Sequence, residues 1–150
     1  MKKKSYCPVY QSLNIIGDKW SLLIIRDIMF HRKNHFNDFL ISKEKIAKST
    51  LSNRLKNLEK NKIIMKIPDK THKQKNKYIL TLKGIQLTPI IVELYLFSGS
   101  LTDVNLSSSD NRLVRWFKDD KTSVINYTEK KLITDFKKTL EEYPNLLTQN

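Results

Sequence analysis

The chain opens on two apolar runs at helical spacing, separated by a polar break. Val9, Leu13 and Ile16 stand at i, i+4 and i+7. Pro8 suits the first turn of this helix, where its missing N–H costs nothing, and Gly17 ends it. Asp18 is a good N-cap for a second helix over about Lys19 to Phe30. Trp20, Leu22, Leu23, Ile24, Ile25, Ile28, Met29 and Phe30 cover most of its circumference, the pattern of a buried central helix. A basic connection from His31 to His35 leads into Phe36 to Ile41, read as a short third helix. The fourth, about Lys48 to Asn61, has one narrow apolar stripe of Leu51, Leu55 and Leu58.

After Asn61 the period changes from that of a helix to that of a strand. Ile63 to Ile67 and Lys77 to Leu82 read as two strands, joined by a basic loop from Pro68 to Asn76. A fifth helix over about Lys83 to Phe97 carries Ile85, Ile90, Ile91, Leu94 and Phe97. Pro89 falls inside it, which predicts a kink or a late start. A soft stretch from Ser98 to Asp110 is the one candidate linker. Leu113, Trp116 and Phe117 then predict a short helix and Asp119 to Lys121 a turn. Thr128 is the expected cap of a last helix carrying Leu132, Ile133, Phe136, Leu140 and Tyr143, which Pro144 ends.

Charge sharpens this outline. The 150 residues carry a net +13, and the excess is unevenly placed. Residues 1–100 hold 20 basic and 7 acidic side chains, residues 101–150 eight of each. The segment 43–77 alone has 12 basic against 3 acidic. A surface so charged points to a polyanion, because neutralising phosphates releases condensed counterions. On the fourth helix, at about 100° per residue, Ser49, Ser52, Asn53, Lys56 and Lys60 lie some 100–200° around from Leu51. Small polar groups come first and lysines later, which suits a helix whose first turns read base edges while its later lysines meet phosphates. Plain helix solvation is the other reading of Ser52 and Asn53. The Lys-rich hairpin that follows reads as a wing.

These blocks in this order resemble the HxlR-type winged helix-turn-helix transcriptional regulators of bacteria and archaea. The markers are Cys7-Pro8-Val9, the run from Ile16 to Asp27, Phe36-Asn37-Asp38-Phe39, the run from Leu51 to Glu59, and Tyr78 to Gly84. The resemblance spans about Cys7 to Phe97. It implies a mainly α fold with a small β-hairpin wing; beyond it, the apolar pattern reads as an additional helical C-terminal segment. Residues 1–97 would form the DNA-binding and dimerisation domain, with 98–150 a helical extension packed on the dimer. It also implies a homodimer joined through the first helix and the helix after the wing, bound to a double-stranded DNA operator, with repression the commoner outcome. Carried over by position, the DNA-binding residues are Ser49, Thr50, Ser52, Asn53, Arg54 and Lys56 on the recognition helix. Lys70, Lys73, Lys75 and Lys77 are the wing's phosphate candidates. Arg54 has two readings, a backbone contact or an intramolecular ion pair, and His35 is either a phosphate contact or a solvated loop residue. Where the family usually has Gly-Ile-Ser ahead of the recognition helix, this chain has Lys45-Ile46-Ala47. Alanine cannot cap through its side chain.

Cys7 occupies the position of a cysteine through which several family members sense oxidants or electrophiles. Lys2, Lys3 and Lys4 nearby and a following helix start favour a thiolate there; an inert small hydrophobe is the bland alternative. With a single cysteine in the chain, an oxidised link joins Cys7 to a second chain or to a small thiol. No catalytic, metal or cofactor site is expected. His31 and His35 flank Arg32 and Lys33, a poor place for a cation, and three glycines make no phosphate loop. The apolar runs are far shorter than the ~20 residues of a membrane span. The basic start has no apolar stretch after it, so a cytoplasmic protein is expected. Trp116 and Phe117 read as core, or else as the wall of an effector pocket whose ligand is unknown. The competing functional class is an architectural protein that packs DNA without reading it.

Overall fold

The computed structural model describes residues 6–71, 75–101 and 103–148. Among them the chain forms, in order, α1 (Pro8–Ile16), α2 (Lys19–Phe30), α3 (Phe36–Leu40), α4 (Lys48–Lys60), β1 (Ile64–Pro68) and β2 (Asn76–Leu80). These are followed by α5 (Leu82–Ile85), α6 (Thr88–Ser98), α7 (Ser108–Asp119), α8 (Lys121–Glu142) and a 3-10 turn over Pro144–Thr148. By compactness it divides into residues 1–84 and 85–150. That division precedes Phe97, the boundary drawn from sequence, because α6 packs with α7 and α8.

The first unit is a winged helix-turn-helix. Asp18 caps α2 as expected, accepting the N–H groups of Trp20 and Ser21 at 3.1 and 3.0 Å. α2 is less uniformly buried than its composition implies: Ile24, Ile25 and Met29 are buried, whereas Leu22, Leu23 and Ile28 are half-buried. Its inner face also carries Asp27, buried and held by Lys33 Nζ (3.0 Å), Ser42 Oγ (3.1 Å) and Arg26 Nη2 (2.6 Å). A buried carboxylate is tolerated only when so compensated. Leu51, Leu55 and Leu58 of α4 close the core against α2 and β1, with Phe39 and Tyr78 at its edge (ring centroids 6.3 Å apart). Each such side chain is worth roughly 1.5–3 kcal/mol when buried.

β1 and β2 pair antiparallel, Ile64 opposite Leu80 and Ile67 opposite Lys77. The hairpin's root is locked by Thr81, whose hydroxyl donates to the Lys62 carbonyl (2.5 Å) and accepts the Gly84 N–H (3.1 Å). A Cβ at position 84 would collide with the Ile63 carbonyl oxygen, so glycine there is a packing requirement.

In the second unit Ile91, Val92, Val114, Phe117 and Val124 form the core, and Tyr95 packs edge-on to Phe117 at 5.3 Å. The predicted fifth helix is two: α5, then α6 with Pro89 in its first turn. Proline has no N–H to lose there. The expected cap at Thr128 is corrected. α8 starts at Lys121, Asp120 accepts the Ser123 N–H (3.0 Å), and Thr128 is buried mid-helix. Asp120 supplies a stronger cap eight positions earlier than the sequence pattern suggests.

Candidate nucleic-acid interface

α4 has three faces. With the leucine stripe inward, Ser49, Asn53, Lys56 and Lys60 are exposed, and Thr50 and Ser52 are half-buried at the margins. Ala47, the N-cap, makes no side-chain bond to the first turn. The third face was not legible in the sequence. Arg54 turns away from the Ser49–Asn53–Lys56 surface, and its Nε lies 3.2 Å from Asp18 Oδ1 in an electrostatic contact without hydrogen-bond geometry. Asn57, one turn on, donates to the Ile15 carbonyl at 3.3 Å, and Asn61 donates to the Asn57 carbonyl at 2.8 Å. These polar groups tie α4 to the elbow between α1 and α2. Of the two readings of Arg54, the ion pair is the contact formed within the chain.

The wing candidates fall into three groups. Lys70 and Lys75 are exposed and Lys77 is half-buried. Lys73 lies outside the described residues, as do Lys2, Lys3 and Lys4. His35 is not a free loop residue, because both of its ring nitrogens meet carboxylates. Its Nε2 lies 2.7 Å from Asp69 Oδ2 and its Nδ1 3.2 Å from Asp38 Oδ2, so it clamps the start of α3 to the end of β1. The backbone follows: His35 bridges Lys77, and the Tyr78 N–H donates to the Asn34 carbonyl at 2.7 Å. Asp69 is held well below the usual carboxylate range by the Thr71 hydroxyl (2.7 Å), the His35 ring and the Thr71 N–H (2.8 Å). Burial pushes the Asp38 carboxyl up, but N–H groups of His35 and Asn34 and the His35 ring outweigh it and leave it lowered. The sequence pattern does not reveal Asp69, because its partner His35 is 34 residues away, whereas Asp38 lies only three residues from His35.

Lys66 on β1 is exposed and was also missed. The signal was available, because it stands between buried Ile64 and Ile67 at an outward strand position. Arg32, Lys45 and Lys62 adopt φ of 53°, 53° and 58°, the left-handed region. Each lies at a junction between elements, and Lys45 sits where the resemblance expects glycine.

The helix-turn-helix, the wing and the order of their parts agree with one family. The HxlR-like helix-turn-helix family matches residues 15–105. The chain belongs to that family. Its members are transcriptional regulators, and the curated relatives carry the same designation. YybR of Bacillus subtilis (strain 168), an uncharacterized HTH-type transcriptional regulator, is 31% identical over 112 residues, covering 75% of this chain and 89% of the relative. Among solved structures, the redox regulator HypR in its oxidized form is 31% identical with a TM-score of 0.58, over 65% of this chain and 100% of that one. A Listeria monocytogenes protein described as a MarR-family transcriptional regulator, solved with 26mer DNA, is 26% identical with a TM-score of 0.53. That match covers 80% of this chain and 79% of the other. The HxlR-like match ends within the segment between α6 and α7, so α7 and α8 lie beyond it.

The remaining expected sites are quickly placed. Cys7 is exposed at the N-cap position of α1. Among the described residues no group of three His, Cys, Asp or Glu is arranged to hold a metal, and no helix is long and apolar enough to cross a membrane. Phe117 is core, whereas Trp116 is partly exposed and stacks at 5.9 Å on Phe117.

Proposed function

We propose that the protein is a homodimeric, sequence-specific DNA-binding repressor whose α4 lies in the major groove. The observation that carries this reading is the exposed face of Ser49, Asn53 and Lys56 on an α4 otherwise anchored on two sides, followed directly by a basic wing. Ser49, Thr50, Ser52 and Asn53 are the base-reading set. Asn has the donor and acceptor to grip adenine in a bidentate way, and hydroxyls are tolerant readers. Lys56, Lys70, Lys73, Lys75 and Lys77 supply phosphate contacts, and Arg54 and His35 act as braces behind them. The MarR-family relative solved with DNA supports the general mode.

Dimerisation is supported by exposed apolar side chains on two helices. Val9, Tyr10 and Leu13 on α1 and Ile90, Leu94 and Phe97 on α6 are all more than two-fifths exposed. Contiguous apolar faces of this kind mark association surfaces. The neutral 98–150 segment packs on the dimer in this reading. Cys7 makes binding responsive to oxidants, for which the similarity to a redox regulator and the thiol's exposure are the support. Selection from a randomised duplex pool, with reduced and oxidised protein in parallel, tests all parts. A palindrome with half-sites ~34–36 Å apart is expected, lost or altered on oxidation. A palindrome indifferent to oxidation removes the sensor, and no enriched sequence leaves a non-specific architectural binder.

A further inference from the structure

A cleft of about 500 Å³ lies between the start of α3 and the hairpin. Lys66, Lys75 and Asn76 line it from the hairpin and Asn37 from α3, with Phe36 and Tyr78 as its apolar part. Lys66, Lys75, Asn76 and Asn37 are all exposed. His35 and Asp38 complete the lining, and with the Tyr78 phenol they are the other titratable groups facing it among the described residues. The His35 ring is engaged by Asp38 through Nδ1 and by Asp69 through Nε2. Asp38 Oδ2 accepts from the N–H groups of Asn34 (3.2 Å) and His35 (2.9 Å) and contacts the His35 ring at 3.2 Å. The carboxylate is therefore compensated where it stands, and two lysines face the open space against it.

We infer that this cleft is a phosphodiester-binding site that seats one stretch of DNA backbone between α3 and the wing, an inference that rests on the DNA-binding reading above. The chemistry of the lining is that of phosphate recognition: two ammonium groups as point charges and two carboxamide N–H₂ groups as neutral donors. Apolar rings beside them suit the flanking sugars. The volume falls within the ~300–1,000 Å³ of ordinary ligand sites, and the cleft is partly open to solvent. A small free anion is held best where it is enclosed, whereas a polymer must enter and leave. The His35 clamp onto Asp69 and Asp38 fixes the separation of the two walls. The site adds a second line of positioning contacts, on the α3 side of the wing, to those of α4.

Salt-dependent binding of the full chain to its selected operator and to a random duplex tests the inference. Lys66→Gln should weaken both duplexes alike and lower the salt slope by about 0.9, the loss of one phosphate contact. Lys66→Arg should keep the slope, as should Lys130→Gln on α8. The side-chain amide NMR signals of Asn37 and Asn76 should move on adding duplex. If the wild type binds duplex and Lys66→Gln keeps its slope, the cleft is not a backbone site and the DNA-binding reading stands. Saturable shifts of those amides with inorganic phosphate, but none with duplex, would make it a site for a small anion and overturn the backbone assignment. If the wild type binds no duplex, both readings fall together.

Discussion

Lys45 spends conformational energy that glycine would not. An L-residue in the left-handed region costs roughly 1–2 kcal/mol, and Lys45 holds φ at 53° in the turn before α4. Two positions on, Ala47 is a cap that cannot bond. Lys45→Gly should raise stability by about 0.5–1 kcal/mol after its own unfolded-state entropy is counted. Ala47→Ser should add about 1 kcal/mol. Chemical denaturation of the single and double variants checks both, and a loss of stability on either would show that the turn is held by other contacts. Asn53→Ala belongs to the same scale but to function. It should relax base preference at one operator position by about 1–3 kcal/mol of discrimination while leaving affinity for random duplex unchanged. A uniform loss across sequences would place Asn53 on the backbone instead. At this scale the sequence was legible where a side chain acts alone, as Asp18 does at its own helix start. It was illegible where a partner lies far along the chain. Nothing in the pattern around Arg54 names Asp18, and nothing around His35 names Asp69.

The elements themselves were readable because each is defined by local periodicity. Leu51, Leu55 and Leu58 fixed both the existence and the inner face of α4, and the switch to strand period at Ile63 marked the hairpin. What periodicity cannot see is how an element is oriented by polar contacts, and the wing is the case in point. His35, Asp38 and Asp69 orient it, and two of these groups ionise below the ordinary carboxylate range. A carboxylate whose folded pKa is depressed stabilises the fold fully above its unfolded value of about 3.9 and loses that contribution as pH falls toward the folded value. The first unit should therefore keep its full stability near neutrality and lose it progressively below about pH 4. Asp69→Asn should flatten that acid limb, read as denaturation midpoints compared between neutral and acid pH. His35→Ala removes the clamp at any pH. It should speed hydrogen exchange at the Tyr78 amide, bonded to Asn34, with α4 amides unaffected. Equal acceleration in both places would mean that the clamp supports the whole unit and not the wing alone.

For the whole molecule, the family boundary and the physical boundary do not coincide. The HxlR-like match runs to residue 105 and so includes α6, but the described contacts of α6 that form a core are with α7 and α8. Ile91 and Val92, both buried, share that core with Val114, Phe117 and Val124. The sequence hid this because the soft segment from Ser98 to Asp110 and the change in net charge both suggest an independent tail. Charge reports which surface meets a polyanion; it carries no information on which helices share a core. A chain ending after residue 105 should consequently keep the helix-turn-helix and wing but expose the inner face of α6. Losing the cover of one large core side chain costs about 2–5 kcal/mol, and here several go at once. Such a truncation should show near-native hydrogen-exchange protection in α2 and α4 together with stronger concentration-dependent association by sedimentation than the full chain. If it stays well behaved and binds the same operator with unchanged affinity, α7 and α8 are dispensable to DNA binding. In that case the apolar stripe from Leu132 to Tyr143 serves some contact other than the subunit interface of the proposed dimer.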